Sequence, residues 1–346
     1  MKLNDFDYLA QLPGEEREQS WIRMRLETLS VREGIILAAA AQADPPENAA
    51  QAINQLQSLD EYTVRVDVGS YEALGRWYLL KKTEMPRDAL PFIDLDEMGR
   101  QYEDKHPGLF IGNCYVQYPE TPPSPVYQPG AGLPADDGWS VKVKLASPAV
   151  PEGVWLRLPG PFFEDCCNEE TIEEVLALQE LCIQRWEDCS LVDVHCILPE
   201  AGDLMVQYSD IDDLLYDSVS MGCFLREKGQ GSPHFMERYT AALALEGCQN
   251  LKLALDISQN LRCYDWEQRT DLEASAEGLL LDKGVPEELI RASGIDLAGY
   301  KAHLLEKEGY TPAPGGGGYI RRNNQEFYYQ YSTPVQPQEE PGMAVQ

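Results

Sequence analysis

One pattern recurs about 200 positions apart, and a chain that carries the same segment twice has to build the same small module twice. Ala52-Ile53 with Leu59 and Tyr62 matches Ala254-Leu255 with Leu261 and Tyr264. Glu72-Ala73 matches Glu273-Ala274, and Leu79-Leu80 with Lys82 matches Leu280-Leu281 with Lys283. Met85-Pro86 with Leu90 matches Val285-Pro286 with Ile290, and Ile93-Asp94-Leu95 matches Ile295-Asp296-Leu297. The offset stays between 200 and 202, which reads as a duplicated helix–strand–helix–helix module.

Hydrophobic periodicity fills in the rest. Helices are expected over 5–12, 15–28, 31–42 and 47–59, with a half-buried strand over 62–68. Ser70 caps a helix to about Lys82, Ile93–Lys105 is another, and Leu109–Tyr118 reads as a strand. The segment 119–139 has six prolines in 21 residues, too many for helix or central strand, and reads as a polyproline-like spacer. Beyond it, 140–145 and 154–158 read as a strand pair, 191–198 as a strand, and 233–260 as two helices broken near Gly247. The glycine run 315–318 lacks the Lys and Ser/Thr of a phosphate loop and reads as a turn.

Charge narrows the function. The chain has 58 acidic and 28 basic residues, net −30, which makes a poor ligand for nucleic acid or an anionic membrane surface. Its natural partners are basic surfaces. Half of the excess lies in 161–220, where 16 acids face one base, Arg185. This block is interleaved with apolar residues at structural periods. The sequence predicts an amphipathic helix over 169–187 with Asn168 as its cap, and a second acidic helix opening at Ser209. A helix of that length spans about 27 Å at 1.5 Å per residue. That is enough to display carboxylates across most of a duplex turn, whose phosphates are about 3.4 Å apart along each strand. For any single acid the simpler reading is a solvating surface residue; the mimicry hypothesis concerns the array.

Chemistry is sparse. None of the four histidines sits in HExxH or pairs with a GxSxG serine, and the nine cysteines contain no CxxC, which suits reduced thiols in a cytoplasmic protein. His195 and Cys196 would point to opposite faces of a strand and make a poor metal pair. The vicinal Cys166-Cys167 reads as buried or adventitious. No catalytic residues, metal or cofactor are expected. No run approaches the roughly 18 apolar residues of a membrane span, and Met1–Gln11 has no apolar core of a signal peptide.

Two stretches resemble the ArdA family of antirestriction proteins. The first is Tyr71–Leu80 followed by Met85–Asp104, where Gly75-Arg76-Trp77-Tyr78, Pro86, Leu90, Ile93-Asp94 and Gly99-Arg100 fit the family pattern. Leu95 and Gln101 depart from it, standing where an aromatic residue and an Asp are usual. The second is Val141–Pro159 with the acidic segment that follows. In the degenerate second copy, 254–309, Gly299 is followed by Tyr300 rather than Arg.

The resemblance implies an α+β fold: an elongated chain of small domains, helical bundles plus small mixed or antiparallel sheets, with an internal duplication. The expected divisions are a helical and small α/β module over 1–118, the linker 119–139, an acidic α/β module over 140–208, a helical module over 209–260, the second α/β copy over 261–332 and a disordered tail over 333–346. The resemblance further implies a DNA mimic that binds the DNA groove of type I restriction–modification enzymes, often as a homodimer, and protects incoming mobile DNA. The phosphate-mimicking acids would be Glu164, Asp165, Glu169, Glu170, Glu173, Glu174, Glu180, Glu187, Asp188, Asp193, Asp210, Asp212, Asp213 and Asp217. The rival reading is an acidic adaptor of a mobile element that binds another basic DNA-processing partner, such as a relaxase or a Cas complex.

Overall fold

The computed structural model describes residues 3–83, 85–136, 138–161, 171–229 and 234–333, with side chains from Phe6 onward. The chain is α+β and divides between Val194 and His195 into two compact units.

The first unit opens with a 3-10 helix, Leu3–Gln11, and three helices, α1 (Glu16–Glu27), α2 (Val31–Ala43) and α3 (Ala49–Gln57). Strand β1 (Thr63–Val66), helices α4 (Tyr71–Lys82) and α5 (Leu95–Lys105), and strands β2 (Gly108–Ile111) and β3 (Cys114–Gln117) follow. Next come β4 (Val141–Ala146), β5 (Val154–Leu158) and α6 (Ile172–Glu180), and the unit ends within β6 (Ser190–Cys196). The second unit holds α7 (Pro199–Met205), α8 (Ile211–Gly229), α9 (Phe235–Leu245), α10 (Leu251–Gln259) and β7 (Tyr264–Gln268). Helices α11 (Leu272–Asp282), α12 (Glu287–Ser293) and α13 (Leu297–Lys307) and strands β8 (Thr311–Pro312) and β9 (Gly318–Arg322) complete it.

The duplication holds in three dimensions. One sheet runs β1-β3-β2 and another β7-β9-β8, so in each copy the last strand inserts in the middle. The helix caps repeat as well. Asn48 and Asn250 each accept from the backbone N–H three residues on, and so do Asp94 and Asp296. Asn54 accepts from the N–H groups of Val126 and Tyr127, while Asp256, 202 positions later, accepts from those of Gln330 and Tyr331. Each copy thus pins the segment after its sheet back onto its first helix. The glycine run accommodates a hairpin longer by two: Phe110 pairs with Tyr115, but Pro312 pairs with Tyr319.

Several expectations change. Leu109–Tyr118 is not one strand but the antiparallel hairpin β2–β3, broken at Gly112-Asn113, a turn signal inside an otherwise strand-like run. The helix expected over 169–187 is the nine-residue α6, about 13 Å long, capped by Thr171 in a capping box with Glu174. Residues 162–170, with the proposed Asn168 cap, lie outside the described residues.

The proline-rich segment has no helix or strand among its described residues, yet it is a strap packed on the first unit rather than a free spacer. Tyr127 is buried and its hydroxyl donates to Glu18 at 2.7 Å, while Trp21 Nε1 donates to the Pro134 carbonyl at 2.9 Å. Its aromatic and acidic side chains find partners on α1 that prolines alone did not reveal.

The glycines of the Gly-Arg pairs mark where α4 crosses α5. A Cβ on Gly75 would lie 2.0 Å from the Leu95 carbonyl oxygen, and one on Gly99 would lie 2.0 Å from that of Tyr71. Both clashes are with backbone, so the helices would have to part. Gly75→Ala or Gly99→Ala should therefore destabilise the first unit by roughly 1–3 kcal/mol in urea unfolding. Gly278→Ala, in the open interior of α11, should be neutral or stabilise by up to about 1 kcal/mol.

Candidate partner-binding surface

The nominated acids separate by burial. Glu164, Asp165, Glu169 and Glu170 lie outside the described residues. Glu173, Glu174 and Asp217 are buried, so they are not display groups. Glu180 is half-buried, and Glu187, Asp188, Asp193, Asp210, Asp212 and Asp213 are exposed.

The buried ones have internal duties. Glu173, on the inner face of α6, accepts from Arg32 Nε at 2.7 Å and from the Ser30 hydroxyl at 3.1 Å. Glu174 closes the capping box on Thr171. Asp217 accepts from the Tyr208 hydroxyl, and burial pushes its carboxyl upward in pKa. In each case a helix carries acids on its inner face because a complementary donor waits there, which charge counting along the sequence does not register.

Glu173 belongs to a buried charge network in the first unit. Glu33 on α2 is fully buried between the guanidiniums of Arg25 (α1) and Arg157 (β5). Asp136 of the strap accepts from Arg157 at 2.9 Å and lies 3.2 Å from Arg25 Nε. Lys142 of β4 reaches Asp136 at 2.5 Å, and Arg32 joins Glu173 to Asp60.

The exposed acids sit on the 186–188 turn and β6 in the first unit and at the start of α8 in the second. In the first unit, Glu187 and Asp188 ride the 3-10 turn Trp186–Asp188, anchored by the buried Trp186 ring, and Asp193 lies on β6. Arg185 approaches Glu187 at 3.6 Å, with both side chains largely exposed. In the second unit, Asp210 Oδ1 accepts from the Asp213 N–H at 3.1 Å, and Asp212 and Asp213 occupy the first turn of α8. The positive end of the helix dipole stabilises that grouping, and Lys252 pairs with Asp213 at 3.3 Å. Glu200 and Asp203 of α7 are also exposed and were not among the nominated acids, although they fall within the same acid-rich block.

Neither a family model nor a curated protein nor a solved structure matches the chain. Among the described residues no group of three or more His, Cys, Asp and Glu side chains is placed to hold a metal ion. The described cysteines are free thiols. Burial pushes Cys114 up to about 12 and Cys196 up to about 11, which keeps both as poor nucleophiles at neutral pH. No helix among the described residues is long and apolar enough to cross a membrane.

The network makes a pH prediction. Burial alone would raise the Glu33 carboxyl, but Arg25 and Arg157 outweigh it and hold the group at about 2, against 4.5 ordinarily. A depressed carboxylate stabilises the fold above its unfolded pKa, and that contribution is lost as pH falls from about 4.5 towards about 2. Glu33→Gln should cost about 3–5 kcal/mol at neutral pH, because two guanidiniums lose their buried partner. It should also flatten the acid limb of a stability–pH curve followed by circular dichroism.

Proposed function

We propose that this chain is an ArdA-type antirestriction protein, a cytoplasmic inhibitor that presents carboxylates in place of DNA phosphates to the DNA-binding groove of a type I restriction–modification enzyme. The observation that carries the reading is the division of the acids. Those that face inward are matched by buried donors, whereas Glu187, Asp188, Asp193, Asp210, Asp212 and Asp213 face solvent in a block whose only base is Arg185. Six exposed acids grouped on rigid elements, against so few bases nearby, suit a basic partner. The duplicated module and the two Gly-Arg pairs of its first copy add the family-like motif. Exposed Leu281, Leu289 and Ile295 in the second copy are compatible with the homodimer that the resemblance implies.

The acidic-adaptor reading also has support. A groove of about 690 Å³ beside α3 is a feature that a pure charge mimic does not require.

The test is capture of a purified type I methyltransferase complex by the tagged chain, with duplex DNA as competitor. Binding should fall as salt rises and as DNA is added. At roughly 0.2–1 kcal/mol per exposed pair, converting the six exposed acids to their amides should weaken binding by about tenfold or more while leaving thermal unfolding intact. Binding that DNA fails to displace, or a sixfold variant that binds as tightly as wild type, rejects the proposal.

A further inference from the structure

The two copies of the module differ at one corresponding place, and the difference identifies a ligand. In the second copy, Glu246 at the end of α9 accepts from the Tyr264 hydroxyl at 2.8 Å and ion-pairs with Arg322 at 3.0 Å. The same guanidinium lies over the Phe327 ring, 4.7 Å from its centroid. A cation is thus held between a carboxylate, a tyrosine and an aromatic wall.

The first copy has an acid and a tyrosine at the corresponding positions and lacks the cation. Asp44 stands 202 positions before Glu246, and Tyr62 stands 202 before Tyr264. On the far strand the offset is 204, which puts Tyr118 where the second copy has Arg322 and Pro123 where it has Phe327. These four residues line the groove of about 690 Å³. Tyr62 and Tyr118 meet edge to face at 6.3 Å. The Asp44 carboxylate has no ion-pair partner among the described residues, and Gln55 Oε1, on the same wall, is buried without a donor. Glu120 adds a second acid at the rim, and the cationic groups that line it are Lys105 and, when protonated, His106.

We propose that this groove receives an arginine side chain of a protein partner. Its chemistry matches on each count: a carboxylate for charge, acceptors for the N–H fork, and tyrosine and proline faces for the flat, weakly hydrated guanidinium. The occupant is external because, among the described residues, an arginine is set against this carboxylate position only in the second copy. The inference is independent of the antirestriction reading, since its probes are small amides and internal variants rather than a restriction enzyme.

Two experiments on the full chain decide it. In the first, N-acetylarginine amide is titrated into isotope-labelled protein and followed at the Gln55 side-chain amide by NMR. The expected result is a saturable shift, at least about tenfold weaker with the uncharged isostere N-acetylcitrulline amide and lost in Asp44→Asn. In the second, Tyr118→Arg restores the cation of the second copy. It should raise the urea midpoint of the first unit, and Asp44→Asn in that background should remove the rise. Equal binding of citrulline, a shift that survives Asp44→Asn, no saturable shift, or no stabilisation by Tyr118→Arg overturns the proposal.

Discussion

The first unit depends on one buried carboxylate. Glu33 has no access to solvent, and its negative charge is tolerable there only because guanidiniums from α1 and β5 converge on it. Asp136 then satisfies the outer sides of both arginines and brings in Lys142. Four segments are tied by this set: two consecutive helices and, more than a hundred positions on, the proline-rich strap and a sheet. An ion pair of this kind is poor evidence of net stability, since desolvation offsets most of the attraction, but removing one member strands the others. It therefore specifies which segments must meet.

The same logic divides the acidity of the chain into two populations. Acids such as Glu33, Glu173 and Asp217 are interior groups with named donors, and they contribute to the fold rather than to an external field. Among the exposed acids, the Arg185–Glu187 and Lys252–Asp213 pairs lie near solvent, where such pairs are weak. A net charge of −30 thus overstates the surface available to a partner near α6 and understates the order imposed by the acids inside.

Much of the local structure was legible. Ser70 is the expected cap because its short side chain reaches the N–H three residues on, and the helices expected from about 47 and 93 begin within two residues of those positions, capped by Asn48 and Asp94. The repeat predicted a second module, and its sheet order proved the same as the first. Less legible was the segment after Asn168. Alternating acids and apolar residues over 169–187 fit a long helix, but the chain turns after Glu180, where Cys182 takes a left-handed φ of 55° and Trp186 turns inward. Glu173 and Glu174 read as surface because acids usually are, and only the arrival of Arg32 and the cap at Thr171 make them interior.

By itself the sequence determined the duplication, the Ser70 cap, the positions of most helices and the excess of acid, because these rest on local sterics, hydrogen bonding within a few residues and residue counts. Only the tertiary structure decided which acids are paired inside and which face water, that the prolines form a strap over α1 and α3, and that Asp44 borders an open groove while Glu246 holds an arginine. Those outcomes depend on donors brought from up to 143 positions away, as between Ser30 and Glu173, and no window along the chain contains both partners.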